Sequence, residues 1–136
     1  MQAQIPDRQN PTTILFTHYG DEWIRGSERC LLDLLKHIDR TRFRPVAWCN
    51  SRTMADELRH LDIPVIQSEF PLLFGWQQPH YSFSKFYKLV RQGIDLVDKY
   101  DVNLVHANSG APNQWLNLIA RARGIPLVAH LHSRYP

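Results

Sequence analysis

Short apolar runs alternate with amphipathic helical segments along most of this chain, and this alternation constrains the fold more than any other feature. A short run that is apolar throughout is typical of a parallel strand, because both faces of such a strand are covered. The pattern predicts strands over residues 13–17, 45–49, 64–66, 103–106 and 126–131, and helices over residues 27–40, 54–61, 82–100 and 112–123. Because strands alternate with helices, we expect right-handed crossovers and an α/β fold with a doubly wound (Rossmann-like) parallel sheet of about five strands.

The expected strand order is the common 3-2-1-4-5, which makes the first, fourth and fifth strands neighbours. In open α/β sheets, ligands bind beyond the carboxyl ends of the strands, beside the point where the strand order reverses. The functional site is therefore predicted at the carboxyl ends of these three strands.

The chain is predicted to form one domain over residues 13–136, after a disordered or irregular lead-in over residues 1–12. Ser27 is the expected N-cap of the first helix, and Gly124 is expected to end the helix over residues 112–123. Residues 68–81 contain prolines, a glycine and several aromatic residues, which indicate an irregular loop.

Charge and cysteine content restrict the partners and the compartment. The net charge is +3, but the densest basic cluster, Arg40, Arg42 and Arg44, lies at a predicted turn, so no nucleic-acid partner is expected. Cys30 and Cys49 lack CxxC spacing, which favours reduced thiols in the cytoplasm over a disulfide or zinc framework. The start of the chain does not resemble a signal peptide, and no run approaches the roughly 20 apolar residues of a membrane span.

Histidines follow three strands that are predicted to be neighbours. Four of the seven histidines lie at these strand ends: His18, His106, His130 and His132. Adjacent strands are about 4.8 Å apart, so the rings can converge on one crevice if they point the same way. There a histidine can donate a hydrogen bond to a sugar hydroxyl or stabilise charge near a phosphate. The alternative is that each ring only bonds to a local carbonyl.

The turn after the first strand carries a second candidate site. Gly26, Ser27 and Glu28 lead into a helix, whose N–H groups and dipole favour an anion such as phosphate. The GxGxxG fingerprint is absent, which disfavours a dinucleotide site, and the absence of GxxxxGK[ST] excludes a P-loop. A helix terminus contributes only about 0.3–1 kcal/mol, whereas micromolar affinity requires about 8 kcal/mol, so this turn cannot hold a phosphate-bearing ligand alone.

Four segments in this order and spacing resemble the amino-terminal domain of family-4 glycosyltransferases, which is one half of the GT-B architecture. They are RGSERCLLDLLKHIDRTRFRPVAWC, ADELRHLDIPV, DVNLVHANS and ARARGIPLVAHLHS. The resemblance implies an enzyme that transfers a sugar from a nucleotide-sugar to a sugar or lipid acceptor, with retention of anomeric configuration and without a cofactor. It also implies that a carboxy-terminal donor domain is missing, that the chain alone is inactive, and that peripheral membrane contact is compatible with the family.

The resemblance also assigns roles to individual residues. Gly26 matches the second glycine of a pair that lets backbone N–H groups approach the donor diphosphate, and Arg25 replaces the first; with Ser27 they form the expected donor-phosphate site. His132 matches the histidine beside the reacting sugar and is the expected catalytic residue.

Other residues are expected on the acceptor side. His106 and Asn108 match acceptor-facing positions of the family, and His18 and His130 lie at the same predicted edge. Three aromatic side chains are expected to stack on the acceptor or to pack the loops down: Trp23, Trp76 and Tyr81.

Two other functions remain open from the residues alone. His130 and His132 have the HxH spacing that suits a divalent metal, which would fit a metal-dependent hydrolase. We nevertheless expect no metal ion, because no carboxylate accompanies them nearby in the sequence. The other is a non-enzymatic module that binds a phosphate-bearing ligand or a protein through an uncovered sheet edge.

Overall fold

A computed structural model describes residues 10–71 and 82–132, which contain a five-stranded sheet and four helices. The strands are β1 (Thr12–His18), β2 (Phe43–Cys49), β3 (Val65–Gln67), β4 (Leu104–Asn108) and β5 (Leu127–His130). The helices are α1 (Gly26–His37), α2 (Arg52–His60), α3 (Phe83–Lys99) and α4 (Asn113–Arg123).

All paired strands are parallel, and their order is β3-β2-β1-β4-β5, which confirms the predicted α/β fold and strand order. The element boundaries differ from the prediction by a few residues. The largest difference at a strand's carboxyl edge near the site is in β4, which continues through Asn108 because that residue still pairs with both neighbouring strands.

Each face of the sheet packs against its own pair of helices. Helices α1 and α2 cover one face through an apolar cluster that includes Phe16, Leu31 and Met54. Helices α3 and α4 cover the opposite face through a larger cluster that includes Trp48 and Trp115. We call these the α1–α2 face and the α3–α4 face. Because both faces are covered, central strands can carry consecutive buried apolar residues, as at Ile14, Leu15 and Phe16 of β1.

The first helix begins earlier than expected. The N-cap position belongs to Arg25, so the prediction that Ser27 caps α1 is wrong, and Ser27 lies in the first turn. Glu28 fixes this start instead, because its carboxylate accepts a hydrogen bond from the backbone N–H of Arg25 at 3.0 Å. The expected end of α4 is confirmed: Gly124 is left-handed, with φ of 62°, a conformation that glycine adopts without steric cost.

The loop that starts at residue 68 is described only through residue 71, and Trp76 and Tyr81 lie outside the described residues. Phe70, in the described part, is buried against Trp48 and Trp115, with ring centroids 5.1 Å and 4.8 Å apart. This part of the loop therefore completes the core of the α3–α4 face. Across residues 10–71 and 82–132, no helix combines the length and apolar character that a membrane crossing requires.

Candidate active site

The carboxyl ends of β1, β4 and β5 lie side by side and bring three of the predicted site residues into one row. His18 pairs with Asn108, and Asn108 pairs with His130, in the parallel register. Residues aligned in this way point to the same face of a sheet. Since Phe16 of the same strand packs against α1, this row lies on the α1–α2 face.

His18 lies at the inner end of this row and is only 1% exposed. Its Nε2 is 3.1 Å from Oε1 of Glu28, and its Nδ1 is 2.9 Å from Nδ2 of Asn108. Burial lowers the pKa of His18, and the adjacent Glu28 carboxylate offsets this only in part, so the ring is neutral at pH 7. With both nitrogens engaged, His18 acts on a ligand only through its partners.

Glu28 is a site residue that the sequence reasoning did not identify as part of the histidine cluster. It is 3% exposed, a degree of burial that carboxylates rarely reach unless they are paired. Burial by itself would raise the pKa of Glu28, but the backbone N–H groups of Glu28 and Arg25 and the nearby His18 outweigh it, and the pKa is lowered. The only signal in the sequence was an acidic residue in the first turn of a helix.

Asn108 joins the buried and the exposed parts of the site. It is completely buried, and its Nδ2 donates to the backbone carbonyl of Ser27 at 3.1 Å as well as contacting His18. Its Oδ1 is 2.8 Å from Nε2 of His132. Asn108 therefore connects the first turn of α1 to the end of β5.

His132 is at the exposed outer end of the same set of bonds. Its ring lies 4.2 Å from that of His130, centroid to centroid. Burial and the neighbouring His130 lower the pKa of His132. The Glu28 carboxylate acts in the opposite direction and raises it, but the net effect is a lowered pKa. A neutral imidazole held by one nitrogen and open to solvent at the carboxyl edge is suited to contact a ligand.

His106 lies one step back from the edge, beside Phe16 at a ring-centroid distance of 4.9 Å. It is 8% exposed, and within the described part of the chain its Nδ1 has no hydrogen-bond partner. Burial and the neighbouring His130 lower the pKa of His106 to about 4. Its ring centroid is 6.1 Å from that of His130, so it borders the crevice from inside.

The expected phosphate-binding residues lie at the start of α1, next to Asn108. A Cβ added to Gly26 would meet nothing within 4 Å, so the backbone here is open to approach from outside. The Arg25 guanidinium stacks over the ring of Trp23 at 4.0 Å, and Trp23 is 43% exposed. This stacking holds a cation close to the positive end of the helix dipole, an arrangement that an anion would stabilise.

Two further residues position the loop between β1 and α1, and the sequence reasoning did not find them. Asn50 accepts a hydrogen bond from the N–H of Gly20 and donates one to its carbonyl, at 3.0 and 2.9 Å. A Cβ on Gly20 would lie 2.7 Å from His18 Nε2 and 2.9 Å from Glu28 Oε1, so the buried pair requires glycine here. Such long-range contacts leave no local pattern in a sequence.

The same loop is also fixed to the start of α2. Glu22 accepts hydrogen bonds from the backbone N–H groups of Arg52 and Thr53, both at 2.8 Å. Bonds from the Thr53 side chain, from these two N–H groups and from Ser51 lower the pKa of Glu22 to about 2. The loop that bears Trp23 and Arg25 is therefore held at two points, Gly20 and Glu22, against the residues that follow β2.

A metal centre is not formed by the described residues. His130 and His132 have adjacent rings, yet residues 10–71 and 82–132 contain no group of three or more histidine, cysteine, aspartate or glutamate side chains arranged to hold a metal ion. The pair by itself is one ligand short of the minimum catalytic zinc set. The HxH spacing thus places two rings together without a third ligand.

Comparison with solved structures shows the same fold in much longer proteins. A glycosyltransferase from Rickettsia africae ESF-5 is similar with a TM-score of 0.72 and 21% identity, over 93% of this chain and 31% of that chain. MurG from Acinetobacter baumannii is similar with a TM-score of 0.68 and 17% identity, over 89% of this chain and 35% of that chain. The chain thus spans about a third of the length of these proteins, and the expected Rossmann-like fold of a GT-B domain is confirmed.

Another similar structure is a UDP-GlcNAc 2-epimerase from Neisseria meningitidis, determined with UDP-GlcNAc bound. Its TM-score is 0.59 at 10% identity, over 87% of this chain and 31% of that chain. No curated protein matches this chain significantly.

A family model supplies the sequence relationship. The model described as Glycosyltransferase Family 4 matches residues 24–136, which is most of the chain and includes α1, β4, β5 and His132. The chain belongs to Glycosyltransferase Family 4.

Proposed function

We propose that this chain is the amino-terminal, acceptor-side half of a retaining glycosyltransferase. In this reaction an acceptor oxygen forms a bond to the anomeric carbon of a sugar, the bond from that carbon to the diphosphate of a nucleotide-sugar breaks, and the proton of the acceptor leaves with the diphosphate. A carboxy-terminal domain outside these residues would hold the nucleotide and most of the donor sugar. Family membership supports glycosyl transfer; the division of roles and the stereochemistry are our proposal.

The observation that carries the proposal is the placement of His132. It is exposed just beyond β5, at the carboxyl edge of the sheet where α/β folds bind their ligands, and its Nε2 is held 2.8 Å from the buried Asn108. A ring that is fixed on one side and open on the other can contact a reacting sugar in a defined orientation. We therefore assign the catalytic role to His132.

Neighbouring residues take supporting roles in this proposal. Arg25, Gly26 and Ser27 bind the donor diphosphate, because the open backbone at Gly26 and the Arg25 cation lie at the start of α1. His106, Asn108 and His130 shape the acceptor side. Trp23 offers an exposed aromatic face for stacking on a sugar or lipid.

We further propose that the enzyme acts in the cytoplasm, with peripheral membrane contact when the acceptor is a lipid. Cys30 and Cys49 are both free thiols in the structure, as expected for a reducing compartment. The family defines the donor only as a nucleotide-sugar and the acceptor only as a sugar or lipid.

The test is a transfer assay on the protein that contains both domains. We expect His132→Ala to reduce kcat for sugar transfer from nucleotide-sugars by about 10²-fold or more, a loss typical of removing one group that stabilises a transition state. His60→Ala is the matched control, because His60 is exposed on α2 away from the carboxyl edge. Unchanged transfer by the His132→Ala enzyme would contradict the catalytic role.

A further inference from the structure

Hydrogen donation runs in one direction through the buried bonds at the carboxyl edge. We propose that this buried set of side chains fixes the tautomer of His132, so that the ring carries its proton on Nε2 and leaves Nδ1 as an acceptor for a substrate hydroxyl. Glu28, His18 and Asn108 are then positioning residues. The contact with a substrate hydroxyl rests on the proposed function, whereas the tautomer does not.

The first anchor is the Glu28 carboxylate, which is ionised and can only accept hydrogen bonds. Its Oε2 accepts from the backbone of Arg25, and its Oε1 is 3.1 Å from Nε2 of His18, so that nitrogen carries the proton. Because His18 is neutral, its Nδ1 is an acceptor. Nδ1 must then receive a hydrogen bond from the amide nitrogen of Asn108, 2.9 Å away.

The second anchor is the backbone carbonyl of Ser27, which is also an acceptor only. It lies 3.1 Å from the same atom of Asn108, so it assigns that atom as the amide nitrogen independently of His18. The two anchors agree, and the amide oxygen of Asn108 must face His132. An amide oxygen only accepts, so Nε2 of His132 donates across the 2.8 Å contact.

The surroundings of His132 disfavour a second proton on the ring. The ionisable groups around it are His130 on β5, His18 on β1 and Glu28 on α1, with His106 on β4 beyond His130. Burial and the histidines outweigh the carboxylate and lower the pKa of His132. At pH 7 its Nδ1 lone pair is therefore available, and it matches a hydroxyl that donates a proton. A fully ionised phosphate has no proton to donate and does not match.

Nitrogen-15 NMR of the 136-residue chain tests the tautomer directly. Long-range proton–nitrogen correlation distinguishes protonated from unprotonated imidazole nitrogens, and the spectrum of His132→Gln assigns the ring. We expect Nε2 of His132 at the shift of a protonated nitrogen and Nδ1 at that of an unprotonated one. A proton on Nδ1 in the unsubstituted chain at neutral pH would overturn the proposal.

Glu28→Gln tests whether the tautomer is set from a distance. The Arg25 N–H still needs an acceptor, so the oxygen of the introduced amide turns toward it and the NH₂ group meets His18, and the first anchor then opposes the second. Because the Ser27 carbonyl still accepts from Asn108, the two anchors conflict, and we expect the Nδ1–H form of His132 to gain population at the expense of the Nε2–H form. Glu57→Gln, on the exposed side of α2, is the matched control and should leave the tautomer unchanged. A folded Glu28→Gln chain in which the populations of the two His132 tautomers are unchanged would refute the coupling to Glu28.

Asn108→Asp serves as the second variant if Glu28→Gln does not fold. A carboxylate beside His132 accepts only, so the Nε2–H tautomer should persist while the pKa of His132 rises. An unchanged pKa in a folded variant would contradict the contact. These NMR readouts need no transferase activity: an inactive two-domain enzyme with the expected tautomer would refute the proposed function alone.

Discussion

The carboxyl ends of β1 and β5 carry the same type of side chain in opposite surroundings. His18 at the end of β1 is 1% exposed and has both ring nitrogens engaged, whereas His130 and His132 at the end of β5 are exposed. β1 has a strand on each side and helices over both faces, but in the described part of the sheet β5 pairs with β4 alone. Position in the sheet, rather than residue type, therefore decides which histidine is enclosed and which one is open to solvent.

The same contrast applies to apolar residues. Leu15 on β1 is completely buried, whereas Val128 on β5 is 46% exposed. Burying apolar side chains is the dominant favourable term in folding, so the central strands supply most of the stability. The β5 edge contributes less to stability, and changes there are correspondingly better tolerated.

The largest expected effect comes from comparing a tryptophan in the interior with one in an exposed loop. Trp115→Ala removes a completely buried ring that packs against Trp48 and Phe70, and we expect the free energy of unfolding to fall by about 3–5 kcal/mol. Trp23→Ala at the exposed loop should cost no more than about 1 kcal/mol, since mainly its stacking with Arg25 is lost. Urea unfolding measures both values. Similar losses of unfolding free energy for the two variants would contradict the contrast between the interior and the exposed loop.

The next effect in size comes from two glycines at either end of the β1–α1 loop. Gly20→Ala pushes a methyl group against His18 and Glu28, and we expect a loss of about 1–3 kcal/mol. Gly26→Ala adds a methyl group in open space at the start of α1 and should be neutral or stabilise by up to about 1 kcal/mol. Thermal unfolding distinguishes the two. An unchanged stability of Gly20→Ala would contradict the close packing of Gly20 against His18 and Glu28.

The smallest effect we predict is a loss of stability in mild acid that arises from the interior histidines. The folded-state pKa is lowered for His18 and lowered to about 4 for His106, against an unfolded value of about 6.5. Above about pH 6.5 these histidines therefore do not lower the free energy of unfolding. As the pH falls below this value, the free energy of unfolding decreases, because the unfolded chain binds protons that the native interior excludes. From about pH 7 to pH 5 we expect a loss of about 1–2 kcal/mol.

His106→Gln should flatten this pH dependence, and His130→Gln should flatten it less, because His130 is only one of the causes that lower the pKa of His106. Urea unfolding at the two pH values gives the slope for each variant. A slope that is insensitive to His106→Gln would mean that the buried ring does not exclude the proton.

Much of the fold could be predicted because the local apolar patterns match the burial that the helices impose on the strands. The apolar runs at β1, β2 and β4 and the spaced apolar positions of α1 and α3 gave the element order, and the crossover rule gave the strand order. The predicted N-cap of α1 was wrong because the Glu28 carboxylate accepts a hydrogen bond from the Arg25 backbone N–H. This contact competes with the preference of serine for the N-cap.

The candidate site was predictable in location but not in internal arrangement. Strand ends bearing histidine at the topological switch point indicated where to look, and the sheet register aligns two of these histidines, His18 and His130, on either side of Asn108. Asn50 was missed because its contact with Gly20 joins residues 30 positions apart, a distance that periodicity does not report. Glu28 and Gly20 were missed because the irregular loop after β1 determines which residues meet His18, and such a loop has no periodic pattern.

By itself, the sequence determined the alternation of strands and helices, the sheet order and the edge at which polar side chains gather. These follow from local periodicity and chain chirality, which are properties of neighbouring residues. Only the tertiary structure decided that His18 is enclosed, that His132 is open and that Asn108 lies between them. Burial and hydrogen-bond direction depend on which distant groups surround a side chain, and folding alone brings those groups together.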